Sequence, residues 1–115
     1  MLPKINRIKN KKDFEAIFKN SASFKNNIFI FKIAKNGLAE TRFGFVISQK
    51  VSKKATVRNK IKRILSEIIK IEFKNIKSGL DIVLIALSGI EKKEFSYIQE
   101  NFLSLMSRAK IIKKL

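Results

Sequence analysis

The chain has 115 residues, 45% of them hydrophobic, with no Cys and no His. That is enough apolar side chain for one modest core in a single domain, and it excludes disulfides, thiolate zinc sites and histidine general bases. Lys and Arg number 26 against nine acids, a formal charge of +17, which points to a polyanionic partner, either nucleic acid or an anionic membrane surface.

Residues 1–9 are polar and basic, and a loosely held basic arm is expected there. The segment lacks the apolar stretch of a signal peptide, so the cytoplasm is the expected location. Asn10 is a candidate cap for a helix over residues 11–20, in which Phe14, Ile17 and Phe18 share one face at i, i+3, i+4. Residues 21–27 are turn-prone, with room for a very short strand.

Residues 28–33 (Ile-Phe-Ile-Phe-Lys-Ile) read as a strand, Asn36-Gly37 as a turn, and residues 42–48 as the antiparallel partner of a hairpin. Alternation puts Phe29, Phe31, Ile33, Phe43, Phe45 and Ile47 on a bulky face suited to packing under long helices. Ile28, Ile30, Lys32, Arg42, Gly44, Val46 and Ser48 fall on a flatter, partly polar face that is thinly covered.

A long helix is expected over residues 55–74, with Val57, Ile61, Ile64, Leu65, Ile68 and Ile71 at helical spacing. Residues 82–87 form a continuous apolar run, the pattern of a strand covered on both faces, and far short of the roughly 20 residues a membrane span needs. A last helix over residues 93–110 buries Phe95, Ile98, Phe102, Leu105, Met106 and Ala109, and residues 110–115 read as a frayed basic tail. The order α-β-β-β-α-β-α predicts an α+β fold, a two-layer α–β sandwich. Its two long helices lie on one sheet face and the short first helix on the other.

The segment from Lys50 to Arg63 holds seven basic residues in 14 positions. On a wheel of about 100° per residue, its apolar residues cluster in one direction, Arg58 and Lys62 share a flank, and Asn59 and Arg63 share the opposite face. Protruding Arg forks and Lys point charges suit phosphates. Lys53 and Lys54 precede the helix at its positive end, with Lys50 just upstream. The ordinary alternative is a solvated helix face in a basic protein, with Glu67 paired to Arg63 at i, i+4.

Arg58-Asn59-Lys60-Ile61-Lys62-Arg63, with Ala55 before it and Leu65 after, resembles the "RNR" signature of the bacterial ribonuclease P protein family. Asn6-Arg7-Ile8, Asp13-Phe14, Phe18-Lys19, Arg42-Phe43-Gly44 and residues 81–86 extend the resemblance in the same order. The resemblance implies a left-handed βαβ crossover and assembly, one protein per RNA, with a catalytic RNA that removes the 5′ leader of precursor tRNA using Mg²⁺ held mainly by the RNA. It implies catalytic-RNA contacts at Arg58, Asn59, Lys60, Lys62 and Arg63. It also implies a leader cleft containing Phe14 and Phe18, with Lys19, Lys32, Val46 and Ser48 near it. Lys60 stands where the signature has a second Arg and so loses the fork. Lys32 stands where relatives can carry an aromatic, and Leu87 where they often carry a basic residue.

Nothing in the sequence clusters carboxylates for a protein nuclease; no catalytic residue and no protein metal site is expected. Two other readings compete. A ribosomal or other structural RNA-binding protein would share the charge without the cleft. A membrane-surface binder would need exposed apolar residues that the sandwich requires for its core.

Overall fold

The computed structural model describes residues 2–113. Four strands, β1 (Ala22–Lys25), β2 (Phe29–Lys35), β3 (Arg42–Val46) and β4 (Leu80–Ala86), form one sheet in the order β1-β2-β4-β3. Helices α2 (Ala55–Glu72) and α3 (Phe95–Arg108) cover one face, and α1 (Lys11–Asn20) sits on the other. Short 3₁₀ turns stand at Lys4–Asn6, Phe73–Asn75 and Ile90–Lys92. The element order and α+β layering match the expectation from sequence.

The hairpin does not form. β4 inserts between the two expected partners, antiparallel to β2 and parallel to β3. The reason lies in the β4 sequence: Ile82, Val83 and Leu84 are all essentially inaccessible to water, so this strand takes a central position that covers both faces and both edges. The chain therefore steps from β2 to β3 across the start of β4. Asn36 organises that step. Its side-chain oxygen accepts from Leu38 N (2.8 Å), and its amide donates to Glu40 O and to Asp81 Oδ1, each at 2.9 Å. Thr41 Oγ1 in turn donates to Lys77 O at 2.6 Å and accepts from Leu80 N at 3.2 Å.

The main core joins Phe29, Phe31, Phe43, Ile82 and Leu84 to Ile61, Leu65, Ile68 and Ile69 of α2 and to Ile98, Phe102, Leu105 and Met106 of α3. Phe102 meets Phe29 and Phe31 edge-on, with ring centroids 6.4 and 5.5 Å apart. Five positions differ from the periodicity. Ile28 lies ahead of β2 and is buried in this core, because the Asn26 side chain accepts from both Ile28 N and Phe29 N and turns the backbone there. Ile69 and Ser66 are buried on α2, whereas Ile71 and, on α3, Phe95 are exposed.

Both chain ends are tied down where looseness is expected. Leu2, Asn6 and Ile8 are buried. Asn6 Nδ2 donates to Thr41 O at 2.9 Å, Ile8 N donates to Phe43 O at 2.9 Å, and Arg7 bridges Phe43 in parallel register. At the other end Lys110, at φ 58°, ends α3 in the left-handed region, with Ile111 N donating back to Met106 O at 3.2 Å. The chain then pairs Ile112 with Ile76 and buries Ile111. The end of the expected frayed tail, residues 114–115, lies outside the described residues.

Asp81 is buried at the start of β4 and receives a two-pronged bond from Arg42 of β3: Nε to Oδ1 at 2.9 Å and Nη2 to Oδ2 at 2.7 Å. Arg42 also reaches Asp13 in the first turn of α1, at 3.4 Å, so one guanidinium ties the edge strand β3 and the central strand β4 to the helix beyond them. Hydrogen bonding to Asp81 outweighs burial and raises the Arg42 pKa above its ordinary value. A raised folded-state pKa adds stability below the unfolded value and loses it only as pH climbs through the folded value. Arg42 therefore brings no pH dependence near neutrality. Asp81→Ala leaves the half-buried guanidinium with only the longer contact to Asp13, and is expected to cost about 3 kcal/mol, measured by urea unfolding followed by circular dichroism. An unchanged midpoint would show the pair to be dispensable.

Candidate nucleic-acid interface

Helix α2 presents its basic residues as a helical wheel requires, with one rotation. Asn59, Lys60, Lys62 and Arg63 are exposed, as are Lys53 and Lys54 just before the helix and Lys50 in the loop. The buried arc, however, is turned toward the Arg58–Lys62 flank, because Leu2 packs into the same core and shares a cavity with Lys62 and Ser66. The N-terminal segment thus covers a side of α2 that the apolar spacing leaves polar, and this is why Ser66 is buried there, while Ile69 joins the main core.

Arg58 is only half-exposed, and part of its guanidinium is already engaged. Its Nη1 donates to Ser52 O at 2.9 Å and to Lys53 O at 3.0 Å. It therefore ties down the loop between β3 and α2. Ser52 Oγ accepts from Lys54 N at 3.2 Å, Ser48 Oγ from Lys50 N at 3.3 Å, and Ser88 Oγ donates to Lys50 O at 3.0 Å. These bonds hold Lys50, Lys53 and Lys54 on a fixed backbone. The expected Arg63–Glu67 pair does not form: among the described residues both ion pairs belong to Arg42, so Arg63 is left for a partner outside the chain.

On the opposite sheet face, Asn10 caps α1 by accepting from Asp13 N at 2.9 Å. The helix is held by Ile17, which packs with Ile8 on the fully buried Val83. Phe14 and Val46 belong to the same cluster, each half-buried. Gly44 makes that fit possible. A Cβ there would stand 2.6 Å from two carbons of the Phe14 ring, so only glycine lets the ring settle on β3. Phe18 differs from the expected stripe. It is 45% exposed, because Phe14 and Ile17 set the buried direction and Phe18 falls at its border. Lys19 beside it is exposed as well.

The sheet register puts Lys25, Ile30, Ile85 and Val46 in one row across all four strands, next to the row of Ser23, Lys32, Val83 and Gly44. Helix α1 seals Val83, but Ile30, Ile85 and Val46 stay half-buried. The result is a shallow apolar groove on the face that alternation leaves thinly covered. Lys32 is half-buried, and its ammonium donates to Ser23 Oγ on the neighbouring strand. Ser48, just beyond Val46, is exposed and begins the loop that leads into α2. The groove and the basic helix are thus joined by the shortest path in the chain, residues 46–58.

Sequence reasoning left Arg7 out of the site. Its Nε is buried and has no hydrogen-bond partner, yet it stands in a segment with no periodicity to mark it. Among the described residues no three acidic side chains converge, and Asp13 and Asp81 are both engaged with Arg42. The described residues therefore do not fit a bound Mg²⁺. Among the described residues no helix is long and apolar enough to cross a membrane.

The comparisons with known proteins agree with one another. The Ribonuclease P family model matches residues 2–110. A ribonuclease P protein component of Brevibacillus brevis is 37% identical over 109 residues, covering 94% of this chain and 86% of the relative. The RNase P protein of Staphylococcus aureus superposes with a TM-score of 0.87 at 30% identity, covering 94% of this chain and 98% of the other. That of Thermotoga maritima gives 0.81 at 35%, covering 89% and 96%. A basic α2 face, a half-covered sheet row and this match across nearly the whole chain lead to one conclusion: the chain belongs to the bacterial ribonuclease P protein family.

Proposed function

We propose that this chain is the protein component of a ribonuclease P ribonucleoprotein, binding the catalytic RNA through α2 and the 5′ leader of precursor tRNA in the groove beside α1. The observation that carries the reading is the continuity of two different surfaces. A fixed, exposed array of cations on residues 50–63 runs through Ser48 into a half-covered apolar row. The first surface suits a folded RNA, whose backbone is read by charge and hydrogen bonds. The second suits an unpaired strand, whose bases need apolar faces.

In this reading Lys50, Lys53, Lys54, Asn59, Lys60, Lys62 and Arg63 contact the catalytic RNA. Arg58 both holds the loop and offers its remaining N–H groups. Phe18, with its exposed ring, is the stacking residue of the groove, and Phe14 is its packed floor. Lys19 and Lys32 supply charge for leader phosphates. The chemistry of phosphodiester hydrolysis belongs to the RNA and to Mg²⁺ bound by RNA oxygens. The protein contributes positive potential and a track for the leader, with one protein per RNA, in the cytoplasm.

Reconstitution tests the whole reading. At low Mg²⁺, adding the protein to the catalytic RNA is expected to raise cleavage of precursor tRNA at the 5′ end of the mature sequence. Cleavage by the RNase-treated polypeptide alone would overturn it.

Two narrower outcomes follow from the charges. Affinity for the catalytic RNA is expected to fall roughly 10³-fold between 50 and 200 mM salt if six or more phosphates are engaged, measured by filter binding; a flat response would exclude a phosphate-led interface. Lys60→Ala with Arg63→Ala, both exposed and without ion-pair partners among the described residues, is expected to weaken that affinity by about tenfold or more with an unchanged thermal midpoint. Unchanged affinity would remove this face of α2 from the interface.

A further inference from the structure

A cavity of about 200 Å³ opens at the outer edge of β3, where the N-terminal segment, α1 and α2 meet. Its walls are apolar and largely aromatic, with Ile8, Phe14 and Phe45 among them, while Arg7 and Lys62 bring two cations from different elements and Ser66 a hydroxyl. The volume has room for a single base but not for a duplex.

Two features show unfilled binding capacity. The first is Arg7 Nε, buried without an acceptor. Arg7 lines the cavity, and its guanidinium keeps hydrogen-bonding capacity that the fold does not use. The second is the strand edge. Ile8 N donates to Phe43 O and Arg7 bridges Phe43. Successive residues of a strand alternate the direction of their peptide groups, so Phe45 presents its N–H and C=O to the same side as Phe43. The N-terminal segment reaches only Phe43 in this register. The peptide of Phe45 is left facing the cavity that it lines.

We infer that this cavity receives one unpaired RNA nucleotide, its base against the aromatic wall and the Phe45 edge, its phosphate between Arg7 and Lys62. The inference rests on the RNA-binding function proposed above and adds a third contact, at the junction of the basic helix and α1. Charge selects the ligand class: two cations, an unsatisfied guanidinium N–H and a chain of net +17 favour a phosphate-bearing base over an apolar peptide. The nucleotide belongs either to the catalytic RNA or to the leader.

Photo-crosslinking in the reconstituted holoenzyme separates these sources. 4-Thiouridine is placed in the catalytic RNA in one arm and in the leader of precursor tRNA in the other, and adducts on the wild-type protein are mapped by mass spectrometry. An adduct on Ile8 or Phe45 from either arm supports the site and names its source; adducts on neither residue from either arm overturn it. Arg7→Gln is then expected to lower affinity for that one RNA by about tenfold and to reduce the salt slope by about one contact, with an unchanged thermal midpoint. Equal losses for both RNAs, or none, would also overturn it. Failure of the wild-type protein to bind either RNA would instead defeat the proposed function, so the two failures are distinguishable.

Discussion

The central placement of β4 is the constraint on which the rest depends. Its apolar run has to be covered on both faces and paired on both edges, and the sheet order β1-β2-β4-β3 is the result. Because β4 runs parallel to β3, the chain must return to the same end of the sheet before β4 can begin. Helix α2 makes that return. A basic helix that could in principle have been a free appendage is therefore packed against the main core along Ile61, Leu65, Ile68 and Ile69. Its cations can point in only one direction, and they do so from a rigid base. Precise placement of charge on a packed element, rather than charge alone, distinguishes an interface from a merely basic surface.

The same constraint leaves one sheet face with little to cover it. Two long helices occupy the other face, and α1, with ten residues, seals Val83 but not Ile30, Ile85 and Val46. The position of α1 is fixed by three small devices. Gly44 admits the Phe14 ring, Asn10 caps the first turn, and Asp13 reaches the Arg42 guanidinium that also holds Asp81. The position of α1 over the sheet is thus tied to a strand-to-strand ion pair. A change at Arg42 would alter the core and the candidate leader surface together.

Local features of the fold were legible in the sequence because they obey local periods. The α1 cap, the length of α2, the apolar run of β4 and the buried residues of α3 follow from spacing within 20 residues. The basic face of α2 and the thin sheet face were visible for the same reason. What the sequence hid is non-local. Asn36-Gly37 is a good hairpin turn, yet the strand that pairs with β2 arrives some 40 positions later, at Leu80–Ala86. The N-terminal segment carries no periodicity, but Leu2, Asn6 and Ile8 fill gaps that exist only once α2 and β3 are in place. Ser66 was passed over for the corresponding reason: its burial depends on that segment, not on α2. Arg7 was missed with them, since its interest lies in a cavity formed by four separate elements.

The charge balance gives the protein a thermodynamic stake in its partner. Of nine acids, Asp13 and Asp81 account for both ion pairs among the described residues, and both serve Arg42. Most of the 26 cations are therefore balanced by solvent ions alone, and folding brings them closer together than the unfolded chain requires. Such self-repulsion lowers the stability of the compact state. A polyanion that binds only the folded chain reverses the effect and adds stability in proportion to its own affinity. The cations that weaken the isolated protein are the ones proposed to bind, and the bonds from Arg58 to the Ser52 and Lys53 carbonyls hold the loop in position despite that repulsion. The structure is in this sense incomplete electrostatically while complete in its packing, which is what a subunit built to settle onto RNA requires.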